Sequence, residues 1–159
     1  MAPSYLNFIV NYLTMEISVR QISPEDAATI TSLCQQLGYR LTRQQILENI
    51  ISVLASKDHD AFVAVCHDTV VGWIGMAQTI MIESLPFCEI NGLVIDENYR
   101  SKGIGKLLVE KAKQWAKEKG HDTVRLRCNV KRTAAHLFYR HLGFKEIKQQ
   151  TNFEMTLPD

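Results

Sequence analysis

Arg100-Ser101-Lys102-Gly103-Ile104-Gly105 combines cations and glycines right after an apolar run, Ile90 to Ile95, and just ahead of an amphipathic stretch beginning at about Lys106. Strand, glycine-bearing turn and helix start together describe an anion site. N–H groups in a helix's first turn have no intrahelical acceptor, and the aligned peptide dipoles add partial positive charge there. Arg100 and Lys102 would add charge from the rim. A dinucleotide fold wants G-x-G-x-x-G after its first strand, but Leu108 stands where the third glycine belongs. A triphosphate loop wants a glycine five positions before Gly-Lys-Ser/Thr, and Arg100 and Leu107 occupy the required places. What remains is a turn that holds a phosphate or pyrophosphate through main-chain N–H groups, or an incidental turn ahead of a helix.

The elements that must position this turn are readable on either side of it. Glu16 to Ile22 alternates as a strand. Ser23-Pro24-Glu25-Asp26 then supplies a helix start, and that helix runs to about Leu37 ahead of Gly38. Thr42 with Gln45 forms a capping-box pattern for a second helix ending near Ser56. Ala61 to His67 and Val70 to Ile82 read as strands joined by a hairpin at Asp68-Thr69, and Phe87 to Ile95 as the next strand. Leu108, Ala112 and Trp115 recur at helical spacing up to Gly120. Thr123 to Cys128 is a strand, Arg132 to Leu142 a short helix, and Phe144 to Lys148 with Asn152 to Leu157 the last strands. The order is βααβββαβαββ, an α/β (α+β) domain of about seven strands and four helices over 15–159, with 1–14 as an N-terminal extension.

Bulk properties narrow the class. With 159 residues, 46% hydrophobic and 22% charged, and a net charge of +1, the chain fits one ordinary globular core without the basic excess of a nucleic-acid binder. Cys34, Cys66, Cys88 and Cys128 form no CxxC, and three of them fall in strand-like apolar runs. Reduced core thiols and a cytoplasmic location are expected. Residues 1–14 lack the features of a signal peptide or a membrane span. The histidines form no zinc pattern, so no metal site is expected.

The segment from Cys88 to Phe144 resembles the GCN5-related N-acetyltransferase superfamily. Its Arg/Gln-x-x-Gly-x-Gly/Ala pattern stands here as Arg100, Gly103 and Gly105. Leu93-Val94-Ile95-Asp96 is similar to that family's fourth strand, and Asn129, Ala135, Phe138-Tyr139 and Gly143-Phe144 to its second cofactor motif. Ser101 replaces a glycine often found there, and Asp96-Glu97 lacks a common proline. The resemblance implies a mixed, mostly antiparallel sheet and acetyl-coenzyme A as cosubstrate. The pyrophosphate would lie on Arg100, Ser101, Lys102, Gly103, Ile104, Gly105 and Lys106. The pantetheine arm would run beside Leu93, Val94 and Ile95 like an added strand, with Asn129 as a further contact.

Amide formation from a thioester needs a neutral amine, a stabilised oxyanion and a proton for the thiolate. An alkylamine with a pKa of about 10.4 is roughly 0.04% neutral at pH 7, a handicap of about 4 to 5 kcal/mol that a base relieves. Glu89, six residues before Ile95, has the offset that carries the base in the histone-acetyltransferase branch, and Tyr139 matches the family's general acid. Main-chain N–H at Val94 or Ile95 would hold the oxyanion. Asn129-Val130-Lys131-Arg132 with Ala135-His136 also resembles aminoalkylphosphonate N-acetyltransferases, which implies a small primary amine as acceptor, with Lys131 and Arg132 favouring an anionic one; Tyr39 is a separate candidate acceptor contact. The rest of the acceptor wall falls to Leu37-Gly38-Tyr39 and Thr79 to Pro86. The apolar character of the latter suits a hydrophobic acceptor or a homodimer contact. Transfer to a protein or peptide amine, and a noncatalytic acetyl-coenzyme A sensor, are the alternatives.

Overall fold

The β-rich middle of the chain folds as long antiparallel ribbons because its hairpins are short. In the computed structural model, which describes residues 15–158, β2 (His59–Cys66) turns into β3 (Thr69–Met81) through His67 and Asp68, at φ 46° and 63°. Two left-handed residues between paired Cys66 and Thr69 make the turn whose twist matches that of the strands. The sequence reading put this turn one residue later; Asp68 tolerates the left-handed region, which β-branched Thr69 does not. β4 (Ser84–Ile95) follows through Ile82-Glu83 and pairs along most of β3. Thr79 to Pro86, expected as part of the acceptor wall, therefore forms the tip of this hairpin, with Ile80, Ile82 and Leu85 exposed.

Two compact units divide after Leu126. The first holds β1 (Ile17–Gln21), α1 (Ala27–Gln36), α2 (Arg43–Ala55), β2 to β4, α3 (Ile104–Glu118) and β5 (Val124–Leu126). The sheet order is β1-β2-β3-β4-β5, antiparallel except for the parallel β4–β5 pair. One sheet face carries Ala61, Val63 and Val94 against Ile30, Leu33, Ile46 and Ile50 of α1 and α2. On the other face α3 packs on β3 and β4, burying Ile104, Leu108, Ala112 and Trp115. Thr42 and Gln45 form the expected reciprocal cap of α2, with Thr42 N–H donating to Gln45 Oε1 at 2.9 Å. Ahead of α1, buried Asp26 accepts from Ser23 N–H at 2.8 Å and from both terminal nitrogens of Arg20 at 2.8 Å each.

The second unit contains α4 (Thr133–His141). Among the described residues the sheet has five strands, not about seven. Residues 144–158 form no strand, because a strand exists only through a ladder partner and none among the described residues pairs with them. The polar run Gln149-Gln150-Thr151-Asn152 interrupts the alternation there, and Ile147, Phe153, Met155 and Leu157 are exposed. β5 is likewise shorter than its predicted run, so Cys128 lies beyond it and is half-buried, while Cys34, Cys66 and Cys88 are buried. All four cysteines are free thiols, and Cys34 lies in α1, the first of the expected helices. Residues 1–14, the predicted extension, lie outside the described residues. No described helix is long and apolar enough to cross a membrane.

Candidate active site

β4 changes character in its middle. Gly75 pairs with Gly92 but the next rung joins Met76 to Ile90, so Asn91 is an extra residue, a β-bulge. The parallel ladder to β5 runs Cys88↔Val124, Glu89↔Arg125, Ile90↔Leu126 and stops at the bulge. From Gly92 to Ile95, β4 keeps β3 on one edge and has no described strand on the other. Asp96 N–H donates to Val71 O at 2.8 Å, on the β3 side. Since backbone groups alternate along a strand, Val94 faces β3 as well, and the N–H and C=O groups of Leu93 and Ile95 face the open edge. An extended amide chain can pair with that edge.

The open edge leads into the glycine turn. Asp96 accepts from Asn98 N–H at 2.8 Å, a single turn of tight helix follows over Glu97–Tyr99, and Arg100 returns to extended backbone. Ser101 and Gly103 both take positive φ, 59° and 81°. A non-glycine residue in the left-handed region costs about 1–2 kcal/mol, which explains why glycine commonly fills the place Ser101 holds here. A Cβ on Gly103 would meet nothing within 4 Å, so its φ is what the position demands. α3 begins at Ile104, two residues earlier than read from sequence, because left-handed Gly103 serves as its cap and Gly105 fits the first turn. Its first hydrogen bond runs from Leu107 N–H to Gly103 O at 3.1 Å. The N–H groups of Ile104, Gly105 and Lys106 therefore leave the helix end without intrahelical acceptors.

The cations at the rim have defined places. Arg100 Nε donates to Ile95 O at 3.3 Å, and Lys102 Nζ sits 5.1 Å from the centre of the Tyr99 ring. A clamp that sequence reasoning missed comes from the end of α1. Gln36 Nε2 donates to Asp96 Oδ2 at 3.2 Å, and Glu97 N–H donates to Gln36 Oε1 at 3.0 Å. Nothing in the local pattern around Gln36 announces a contact sixty residues away.

Glu89 precedes the bulge, opposite Ala77 and Arg125, and accepts from Thr79 Oγ1 at 3.4 Å. The Arg125 guanidinium lies 4.2 Å from the centre of the Phe87 ring. Beside Glu89, burial and then the carboxylate's charge push the Cys88 thiol up to about 11, which removes it as a nucleophile at neutral pH. Tyr39 is exposed in the α1–α2 connection, where Gly38, at φ 87°, ends α1.

The second unit gathers Asn129, Arg132 and Tyr139. Asn129 Oδ1 accepts from Lys131 N–H at 2.9 Å, and its carbonyl from Arg132 N–H at 2.9 Å, which folds the chain into α4. Gly143, at φ 91°, ends α4 with N–H bonds from Gly143 to Arg140 O and from Phe144 to Tyr139 O, both at 3.0 Å. This Schellman ending brings its usual apolar contact, here Phe144 against Tyr139 at 5.8 Å between ring centres, with Phe138 on another edge at 5.2 Å. Gly143-Phe144 thus fixes the Tyr139 ring. Burial raises the phenol's pKa, a negative charge on Cys128 would add to that, and Arg132 opposes it. The described residues contain no group of three or more His, Cys, Asp or Glu side chains that could hold a metal ion.

A mixed sheet that opens along one strand directly before a glycine turn and a helix start is the fold of an acetyltransferase. The acetyltransferase (GNAT) family profile matches residues 25–144, across both units, and the chain belongs to this family of N-acetyltransferases. It is 31% identical over 133 residues to an uncharacterised N-acetyltransferase of Chlorobaculum tepidum, covering 83% of this chain and 77% of that one. It is 27% identical over 140 residues to an aminoalkylphosphonate N-acetyltransferase of Salmonella typhimurium, covering 87% and 88%. Among solved structures, the fold matches the aminoglycoside N-acetyltransferase AAC(6')-Iy, crystallised with CoA, at a TM-score of 0.80 and 17% identity, covering 89% of this chain and 96% of that one.

Proposed function

We propose that this protein is an acetyl-coenzyme A-dependent N-acetyltransferase that acylates a primary amine of a small molecule by direct attack on the thioester. The observation that carries the proposal is succession: the open edge of β4 at Leu93 and Ile95 is followed, after one tight helical turn and the glycine turn, by the N–H groups at Ile104, Gly105 and Lys106. That order fits an extended diamide arm followed by a pyrophosphate, with Ser101, Lys102 and Gly103 shaping the turn. Arg100 holds the strand's last carbonyl beside it. Bound there, acetyl-coenzyme A supplies the acetyl thioester. Of the main-chain donors considered for the oxyanion, Ile95 N–H faces the open edge and Val94 N–H faces β3, and Leu93 N–H joins Ile95 as a donor. Glu89 takes the proton from the acceptor amine, directly or through water. Tyr139, kept protonated by its burial, gives its Oη proton to the departing sulfur. Asn129 shapes the entry to the helix that carries it. The family match across both units supports reading 15–159 as one catalytic domain, and four free thiols suit the reducing cytoplasm.

The acceptor is best read as an amine that also carries an anionic group. The α1–α2 connection and the start of α2 present Arg40 and Arg43, and the β3–β4 hairpin tip carries one carboxylate, Glu83, among apolar residues. A polycationic acceptor would need a carboxylate-rich wall. Lys131 and Arg132, ahead of α4, add to the same balance. The test is a thiol-release assay over zwitterionic, phosphonate-bearing, polycationic and peptide amines, alongside calorimetric titration with acetyl-coenzyme A. Turnover with anionic small amines supports the reading. Turnover confined to polycationic or peptide amines replaces its acceptor, and tight acetyl-coenzyme A binding with no acceptor-dependent thiol release makes the protein a sensor.

A further inference from the structure

The opening of β4 is built around Trp73. Trp73 stands opposite Val94 in the β3–β4 ladder, and its indole leans over the neighbouring rung, Gly75 opposite Gly92. A Cβ on Gly92 would lie 2.5 Å from the indole Cη2 and 2.6 Å from Cζ3. A Cβ on Gly75 would lie 3.4 Å from Cζ3 and 2.6 Å from Asn91 Oδ1. Real Cβ contacts do not come as close as 2.5 Å, so the ring demands glycine at position 92, while at Gly75 the ring is in ordinary contact and the Asn91 amide oxygen is what fills the space. The ring has little room to swing away, since it packs on the buried cluster that includes Leu33, Cys34, Val63 and Val94. The buried indole N–H makes no well-formed hydrogen bond, although it draws the Cys34 thiol's pKa partly back from the rise that burial imposes.

The location ties this packing to the chemistry. Along β3 the next rung on the same face is Ala77 opposite Glu89, about 7 Å away. Along β4 the extra residue, Asn91, lies between the two rungs, and its side chain touches the space over Gly75. We propose that Trp73 is a positioning residue for the thioester: the indole seated on Gly75 and Gly92 holds the Asn91 bulge, and the bulge sets where Leu93 and Ile95 present their N–H groups relative to Glu89. The inference rests on the functional reading above, which places acetyl-coenzyme A on that edge. Trp73 itself touches no reacting atom.

The experiment compares Gly92→Ala, Trp73→Phe and the double variant in the full chain. Calorimetric titration gives the acetyl-coenzyme A Kd, thiol release gives KM and kcat, and a thermal melt gives Tm. Gly92→Ala weakens acetyl-coenzyme A binding by at least about tenfold, in Kd and KM together. A phenyl ring stops short of the positions held by Cη2 and Cζ3, so Trp73→Phe combined with Gly92→Ala recovers binding to within about threefold of Trp73→Phe alone. Gly92→Ala binding as tightly as wild type, or a double variant no tighter than Gly92→Ala, overturns the inference. If Gly92→Ala does not fold, Trp73→Leu, which empties the face of the rung, is the deciding variant: a KM for acetyl-coenzyme A at least about fivefold higher supports the inference and an unchanged KM overturns it. A wild-type chain that does not bind acetyl-coenzyme A overturns the functional reading itself, whereas tight wild-type binding matched by Gly92→Ala overturns this inference alone.

Discussion

Tyr139→Phe removes one oxygen from the second unit and leaves the ring's supports in place. The edge contacts to Phe138 and Phe144, at 5.2 and 5.8 Å, do not involve the hydroxyl, and neither does the bond from Phe144 N–H to Tyr139 O. Loss of a hydroxyl's net hydrogen bonding is worth about 1 kcal/mol, a Tm change of about 2–4 °C for a chain of this size. Loss of a general acid is worth about 10²- to 10⁴-fold in rate, or about 3 to 5 kcal/mol at roughly 1.36 kcal/mol per decade. The two effects differ enough in size to be separated. The assay is kcat from thiol release at saturating acetyl-coenzyme A with the best acceptor of the amine panel, with Kd and Tm measured on the same preparations. The expected result is a fall in kcat of at least about a hundredfold with the acetyl-coenzyme A Kd within about twofold of wild type. Burial raises the phenol's pKa above its ordinary value of about 10, so the acid stays protonated throughout the neutral range. The wild-type kcat should therefore fall only on the strongly alkaline side, and the Tyr139→Phe variant should lack that limb. A kcat within about twofold of wild type, or an alkaline limb that persists in the variant, would refute the assignment.

Glu89→Gln should lower kcat by about 10²- to 10⁴-fold with the acetyl-coenzyme A Kd unchanged, most severely at the acid end of the profile where the fewest acceptor molecules are neutral; an unaltered profile would remove Glu89 as the base. Gly103→Ala forces a side chain into a backbone at φ 81° and should cost about 1–2 kcal/mol, read as a roughly 5- to 30-fold rise in the acetyl-coenzyme A Kd. Deleting Asn91 should straighten β4 and abolish detectable binding to its edge, while the remaining residues keep their faces and Tm changes little; wild-type affinity in the deletion would show that the bulge has no part in binding. Asp26 is desolvated, which alone would raise its pKa, but hydrogen bonds from Arg20 and Ser23 outweigh this and hold it below the ordinary carboxylate value. Its contribution to stability is therefore present above the unfolded pKa of about 3.9 and lost as pH falls through the lower folded value. Asp26→Asn should cost about 1–2 kcal/mol at pH 7, discounted because Arg20 is about half exposed, and should flatten the acid limb of a Tm-versus-pH plot.

The parts of this molecule that were legible in the sequence are those fixed by neighbours in the chain. Thr42 and Gln45 cap α2, Gly38, Gly120 and Gly143 take positive φ at helix ends, and the run from Ile90 to Ile95 is a strand feeding a glycine turn, because each depends on residues a few positions apart. The terminal strands failed for the opposite reason. Alternation at Phe153, Met155 and Leu157 satisfies a strand's pattern, but only a partner's ladder makes a strand, and pattern carries no information about partners. Trp73, Gln36 and Asn91 escaped notice for the same cause. Trp73 reads as an ordinary core aromatic until Gly75 and Gly92 are seen beneath its ring, and one of those glycines lies in the same strand as Trp73 and the other in the next. The choice between Val94 and Ile95 as a backbone donor likewise turned on which edge β3 occupies.

Parity explains why a bulge serves this site better than a straight strand. In a regular strand, residues 89 and 92 differ by an odd number and their side chains point to opposite faces. With Asn91 as the extra residue, Glu89 opposite Ala77 and Gly92 opposite Gly75 fall on one face, shared with Trp73 and Val94 and packed toward α1 and α2. Ile90 is left with Met76 on the face that α3 covers. The same insertion ends pairing with β5 at Ile90 and Leu126, which frees the edge at Leu93 and Ile95. A straight strand could place a carboxylate on the acceptor face or free its edge for an amide chain, but each requirement would need its own device. One inserted residue meets both, and the ring of Trp73 over two glycines explains why the insertion stays at Asn91 rather than migrating along β4.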